Sequence, residues 1–262
     1  MTTADTTLFA HKTIASKGYV LTFDGNQKIT AYNGSFEEPA ANAFSIVQAQ
    51  DCPFRTPTCE DSCYIHNLEK FQPELHKLYK RNSSEIRALL ETRFRYEVAY
   101  DVADWITENA KGGFRWHVSG DVFSDSYAEW IADVVSWSPT VQHWIYSRSF
   151  PFLGPLLHID NLTVNVSADK DNYWLARRFA DEYKLRVCYL TVEGEVPDDL
   201  KEGDIIFPDY GLRGVGQKPF EFRNDSEWWQ NLKGEHKKMV CPVDLYGKSE
   251  KVRCGVCTKC IE

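Results

Sequence analysis

Apolar residues recur along this chain at two spacings. FSIVQAQ (44–50), FRWHVSGD (114–121), QHWIYSRS (142–149), LTVNVSAD (162–169), LRVCYLT (185–191) and DIIFPD (204–209) are short runs rich in β-branched and aromatic residues. Each is bounded by turn formers, so each predicts a strand. KMVC (238–241) is a weaker candidate, and YVLTFDGNQKITAY (19–32) predicts a hairpin turning at Asp24-Gly25. Elsewhere the spacing is three and four. Ile86, Leu89, Leu90, Phe94, Val98, Val102, Trp105 and Ile106 predict one long helix. Asn82 with Glu85 marks its start, and Gly112-Gly113 its end. Tyr127, Trp130, Ile131, Val134 and Val135 predict a second helix, entered through 124–126 and closed before Pro139. Ala176, Phe179, Ala180 and Tyr183 predict a third.

Strands alternating with helices predict a parallel sheet covered by helices. The expected fold class is α/β, a complete or partial (β/α) TIM-like barrel. It carries an N-terminal hairpin extension (1–43), the barrel (44–232) and a C-terminal Cys-rich metal-binding segment (233–262), all one globular unit. An open doubly wound sheet is the alternative. No glycine-rich dinucleotide fingerprint follows the first strand, which weighs against it.

Composition narrows the class further. With 43% hydrophobic residues among 262, the chain can build a sizeable core and is not a disordered one. Its formal net charge of −8 disfavours nucleic acid and anionic membranes as partners. The charge is uneven: residues 233–262 hold seven Lys/Arg against four Asp/Glu. The first residues show no basic stretch followed by an apolar one, and no run approaches the ~18 apolar residues of a membrane span. A cytoplasmic location is therefore expected. Disulfides are disfavoured there, and clustered cysteines point to metal or chemistry.

Seven of the eight cysteines fall in two groups. DCPFRTPTCEDSCYIH (51–66) spaces Cys52, Cys59 and Cys63 as C-x6-C-x3-C, directly after a predicted strand. In a (β/α) barrel that position is the ligand-binding mouth. Three thiolates from one loop suit an iron–sulfur cluster with one open iron. Zinc is the alternative, with His66 as a possible fourth ligand. Cys241, Cys254, Cys257 and Cys260 follow C-x12-C-x2-C-x2-C, a complete set for a second iron–sulfur cluster or for zinc. The two groups could instead share one cluster. Cys188 lies mid-strand and reads as core, and His117 as a mid-strand residue of the barrel wall.

Ser119-Gly120-Asp121, Ser147-Arg148-Ser149 and Ser167-Ala168-Asp169 end successive predicted strands. A core strand has little use for such residues, whereas a barrel-mouth pocket does. Arg148 is suited to pairing a carboxylate bidentately. The alternative for Asp121 and Asp169 is capping of the helices that follow.

NAFSIVQAQDCPFRTPTCEDSCY, with the later HVSGD and WIYSRS and the Cys-rich end, resembles a family of phage- and prophage-encoded proteins known by a numbered gene product. The resemblance covers most of 43–169 and the last twenty residues. It implies a phage setting, hence the cytoplasm of a host cell, and carries over no assigned biochemical function. More distantly, the loop is similar to that of radical S-adenosylmethionine (SAM) enzymes, which place three cysteines after the first strand of a partial barrel. Their usual spacing is C-x3-C-x2-C. Here Cys59-x3-Cys63 matches, His66 stands at the third position, and Cys52 substitutes from upstream. That similarity implies S-adenosylmethionine as cofactor, with Ser119, Gly120 and Asp121 at its amino group. Tyr64, Arg148 and Asp169 complete the expected cofactor set, and a small molecule or protein is the expected substrate. The competing expectation is a non-enzymatic metalloprotein: a three- or four-iron redox or sensor centre, or a zinc-stabilised protein-binding module.

Overall fold

The structure is a computed structural model that describes residues 11–25, 41–110, 112–192, 194–208, 226–242, 257 and 259–261. One mixed sheet runs through it. Strands β1 (His11–Ser16) and β2 (Tyr19–Asp24) form an antiparallel hairpin, and β2 pairs antiparallel with β3 (Ala43–Phe44). From there every neighbour is parallel: β4 (Phe114–Trp116), β5 (His143–Ser147), β6 (Leu162–Ala168), β7 (Arg186–Thr191) and β8 (Ile205–Pro208). The eight strands lie in sequence order.

Sequential parallel strands with right-handed crossovers place the connecting helices mainly over one face, while the helical residues Ile65, Leu75 and Tyr79 pack with Ala43, Val47 and Val118 in a second, smaller cluster. The core bears this out. Ile86 and Leu89 of α3 (Pro73–Leu90), Val98 and Val102 of α4 (Arg95–Asn109), Trp130 and Val134 of α5 (Asp125–Trp137) and Ala176 and Ala180 of α6 (Tyr173–Tyr183) share one cluster. Phe44, Trp116, Ile145, Val166, Val187 and Ile206 meet them from the sheet. Two short helices, α1 (Pro57–Asp61) and α2 (Tyr64–Phe71), precede α3, and α7 (Glu227–Asn231) and α8 (Gly234–Met239) follow β8. A sheet wound in one direction is not the doubly wound alternative. It is open, since β1 and β8 are not paired among the described residues.

Several sequence expectations need correction. The hairpin turns at Lys17-Gly18, where φ values of 52° and 89° supply the two left-handed positions of a tight two-residue turn. Asp24 instead ends β2, opposite His11 and Ala43, and residues 26–32 lie outside the described set. The hairpin joins the sheet through the β2–β3 pairing. The long helix is two: Thr92 turns back to the Leu89 carbonyl at 2.9 Å and breaks it between α3 and α4. Asn82 lies inside α3 and starts nothing. Its Nδ2 donates to the carbonyls of Thr22 (2.8 Å) and Ser45 (2.9 Å), and its Oδ1 accepts from Thr22 N at 3.0 Å. One side chain thus extends the β2–β3 pairing, which the backbones make at a single register position. KMVC contributes one parallel bridge, Val240 to Ile206, after α8.

Candidate functional site

The cysteine loop leaves β3 and turns over the C-terminal ends of β4 to β6. Ile46 N donates to the Ser119 carbonyl at 3.1 Å, and Asp121 N to the Asp51 carbonyl at 2.8 Å, so the loop is laced to the end of β4. This lacing needs Gly120. Its φ is +83°, and a Cβ there would stand 2.3 Å from Ile46 Cγ1. Thr56 caps α1. Its Oγ1 accepts from Cys59 N at 3.0 Å and donates to Asp169 Oδ2 at 2.5 Å. Thr58 N donates to Asp171 Oδ2 at 2.8 Å. Two carboxylates from the end of β6 therefore hold the first turn of α1, which carries Cys59, as the positive end of a helix favours.

Cys52, Cys59 and Cys63 come together at this rim, each half-buried and none in a disulfide. Burial pushes the Cys52 thiol up most, and Asp121, Cys59 and Cys63 push it further. Burial also raises Cys59; Arg148 opposes this, while Cys63, Asp169 and Asp121 reinforce it. Thiols crowded this way stay protonated unless a cation offsets the thiolate charge. Among the described residues, no three His, Cys, Asp or Glu side chains close to ligand distance around one point.

Asp121 and Asp169 cap no helix, which corrects that alternative. Ser124 caps α5, accepting from Tyr127 N at 3.2 Å, and Asn172 flanks α6 without a side-chain cap. Asp121 ties strand ends. Its Oδ1 accepts from Ser147 Oγ (2.6 Å) and Val122 N (2.7 Å), and its Oδ2 from Arg148 N (2.9 Å). That fills three of a carboxylate's roughly four acceptor sites. Arg148 Nη2 donates to Asp169 Oδ2 at 3.0 Å, while its Nε and Ser119 Oγ are buried without a partner. The Tyr64 hydroxyl donates to the Val118 carbonyl at 2.9 Å, fixing the chain beyond Cys63. His66 is exposed on α2. His117 lies one residue past β4 at φ +61°, its Nε2 2.8 Å from the Tyr127 hydroxyl, so it is buried rather than mid-strand. A shallow recess lined by Thr58, Lys170, Tyr189, Thr191 and Glu195 lies at the same strand ends.

The C-terminal cysteines stand elsewhere. Cys241 and Cys260 pack with Cys188, Ile205, Tyr146 and Phe207, and Cys257 neighbours Cys260. Cys254 lies outside the described residues. The neighbours of this group differ from those of Cys52 and Cys59, so a single shared cluster finds no support. Sequence reading missed Cys188 as a companion of this set, and Thr56 and Asp171 as supports of the first. Thr56-Pro57 was the available signal for the cap.

Comparison with known proteins gives a family. The family model described as gene product 88 matches residues 16–262. The Gene 88 protein of Mycobacterium phage L5 is 30% identical over 179 residues, 63% of this chain and 74% of that protein. The Gene 88 protein of Mycobacterium phage D29 is 28% identical over 197 residues, 70% of this chain and 79% of that one. No solved structure matches. Among the described residues no helix is long and apolar enough to cross a membrane. The match spans β2, the parallel sheet and both cysteine groups, and on it this chain belongs to the gene product 88 family of phage proteins.

Proposed function

We propose that this phage protein holds an iron–sulfur cluster through Cys52, Cys59 and Cys63 and acts as a radical SAM-like enzyme. The supporting observation is the meeting of three unbridged thiols with Arg148, whose Nε–H is buried and unpaired, at the ends of parallel strands. The donor set fits: thiolates suit soft iron, and mutually crowded buried thiols gain most from a cationic core. Bound there, such a cluster supplies an open iron for the amino and carboxylate groups of S-adenosylmethionine, and the electron that cleaves it.

The chain's own residues have assignable tasks. Cys52, Cys59 and Cys63 lose their protons on binding, so loading is favoured as pH rises. Thr56 and Asp169 hold Cys59 in place through the cap. Arg148, pinned by Asp169, presents its unpaired Nε–H to a carboxylate. Ser119 Oγ offers a second donor, and Gly120 lets the backbone approach a ligand closely. Asp121 keeps one acceptor site for an ammonium while fixing the ends of β4 and β5.

The test is anaerobic purification followed by iron and sulfide analysis, then dithionite reduction with S-adenosylmethionine. Expected are about four irons with matching sulfide from this site, release of 5′-deoxyadenosine, and loss of both in Cys59→Ser. Iron and sulfide without cofactor cleavage selects the redox or sensor reading. Zinc at these cysteines, with no iron or sulfide, overturns the proposal.

A further inference from the structure

Cys188 sits mid-β7, on the sheet face opposite α5 and α6, where packing alone would be served as well by valine or alanine. Two separate segments bring other thiols to it. Val240 bridges Ile206 at the outer edge of β8, and Cys241 N donates to the Ile206 carbonyl at 2.8 Å. Val240 then faces the helix-side core, and alternation turns Cys241 to the opposite face, beside Cys188 and Ile205. The end of the chain arrives by another route. Thr163 Oγ1 donates to the Ile261 carbonyl at 2.6 Å, Asn165 Nδ2 to the Cys260 carbonyl at 3.0 Å, and the Arg186 guanidinium to the Lys259 carbonyl. Three consecutive tail carbonyls are thus gripped by side chains from β6 and β7 rather than by a neighbouring strand. Asn165 spans the junction, because its Oδ1 also lies 3.7 Å from Cys188 Sγ.

We propose that Cys188, Cys241, Cys257 and Cys260 form a second thiolate site, for zinc or an iron–sulfur cluster, that latches the end of the chain to the face of β6 to β8 opposite α5 and α6. None of the four is in a disulfide. One thiol from a strand centre (Cys188), one from the sheet edge (Cys241) and one from the clamped tail (Cys260) share one small apolar cluster with Tyr146 and Phe207, and Cys257 adjoins Cys260. Charge is also matched. Four thiolates around a zinc ion, or around a doubly charged four-iron core, carry two net negative charges. Arg115 and Arg186 both lie near Cys260, and Arg115 stacks 5.0 Å over the Tyr146 ring. Asp204 also neighbours Cys188, but it pairs with Arg177 at 2.6 Å.

This site is independent of the rim cysteines, so the experiment removes those first. The full chain carrying Cys52→Ser, Cys59→Ser and Cys63→Ser is purified anaerobically, and zinc, iron and sulfide are measured per chain. One full equivalent of zinc, or of cluster iron with sulfide, is expected to remain, and adding Cys188→Ser is expected to remove it. Cys260→Ser repeats the test from the tail, where a folding defect in the sheet is avoided. A triple variant free of metal, or one whose metal survives either Cys188→Ser or Cys260→Ser, overturns the proposal. Zinc without sulfide and iron with sulfide both support it and identify the metal.

Discussion

Gly120→Ala is expected to lower the unfolding free energy by about 2–5 kcal/mol. Two costs combine. An L-residue held in the left-handed region loses about 1–2 kcal/mol, and forcing a methyl into packed surroundings adds about 1–3 kcal/mol. Both apply at Gly120, where φ is +83° and the new Cβ would stand 2.3 Å from Ile46 Cγ1 and 3.0 Å from the Ile46 carbonyl. Gly18 is the control. Its φ is +89°, yet no atom lies within 4 Å of a Cβ there, so Gly18→Ala carries only the first cost. Denaturant midpoints of the two variants measure the difference. The Gly120 strain falls on the lacing between the cysteine loop and the end of β4, so iron loading is expected to fall with stability. Equal shifts at Gly18 and Gly120 would contradict this account.

Acid is expected to destabilise the fold through two buried histidines. Burial holds His117 at about 3, with Arg115 adding to the effect, and burial holds His143 at about 3. The hydrogen bonding explains why. Ser138 Oγ donates to the Val134 carbonyl at 2.7 Å, so at 2.8 Å it can only accept from His143 Nε2. His117 Nε2 lies 2.8 Å from the Tyr127 hydroxyl, and both Nδ1 atoms are buried without a partner. A second proton would leave a bare N–H in the core, against Trp116 and Phe114 for His143. The sign follows from proton binding. The unfolded chain takes up protons below about pH 6.5 while the folded chain does not, so stability falls as pH drops from there toward 3. Each histidine contributes about 1.4 kcal/mol per pH unit across that window. Asp24 opposes them: burial raises it to about 6, so its protonation favours the folded state. The clean measurement is a difference. Subtracting the unfolding free energy of His143→Asn from that of the parent should give a slope of about 1.4 kcal/mol per pH unit between pH 6 and 4. A flat difference would show that His143 titrates normally.

The parallel strands were legible because burial on one face leaves β-branched and aromatic runs bounded by turn residues, as at Leu162–Ala168 and Arg186–Thr191. Helix α5 was legible because Ser124 and the Tyr127–Val135 stripe agree. Misreadings arose where a side chain did a backbone's work. Asn82 followed by Glu85 has the form of a helix start, yet tertiary packing buries Asn82 against β2 and β3. Asp24-Gly25 has the form of a turn, yet Asp24 accepts from Tyr79 Oη (2.9 Å) and Ser45 Oγ (3.1 Å) inside the core. At the candidate site, spacing alone grouped Cys52, Cys59 and Cys63. It could not reveal Cys188 beside Cys241 and Cys260, because residues far apart in the chain meet only through strand order. The barrel expectation shares its winding with the observed open sheet, and strand periodicity carries no signal for closure.

The bridging role of Asn82 has a dynamic consequence. Helix α3, β2 and the end of β3 cannot separate without exposing a buried carboxamide and three backbone partners at once. Opening at this edge is thereby made all-or-none rather than gradual fraying. In deuterium-labelling experiments the Thr22 amide should exchange in step with the amides at the centre of α3, although sixty residues separate it from Asn82.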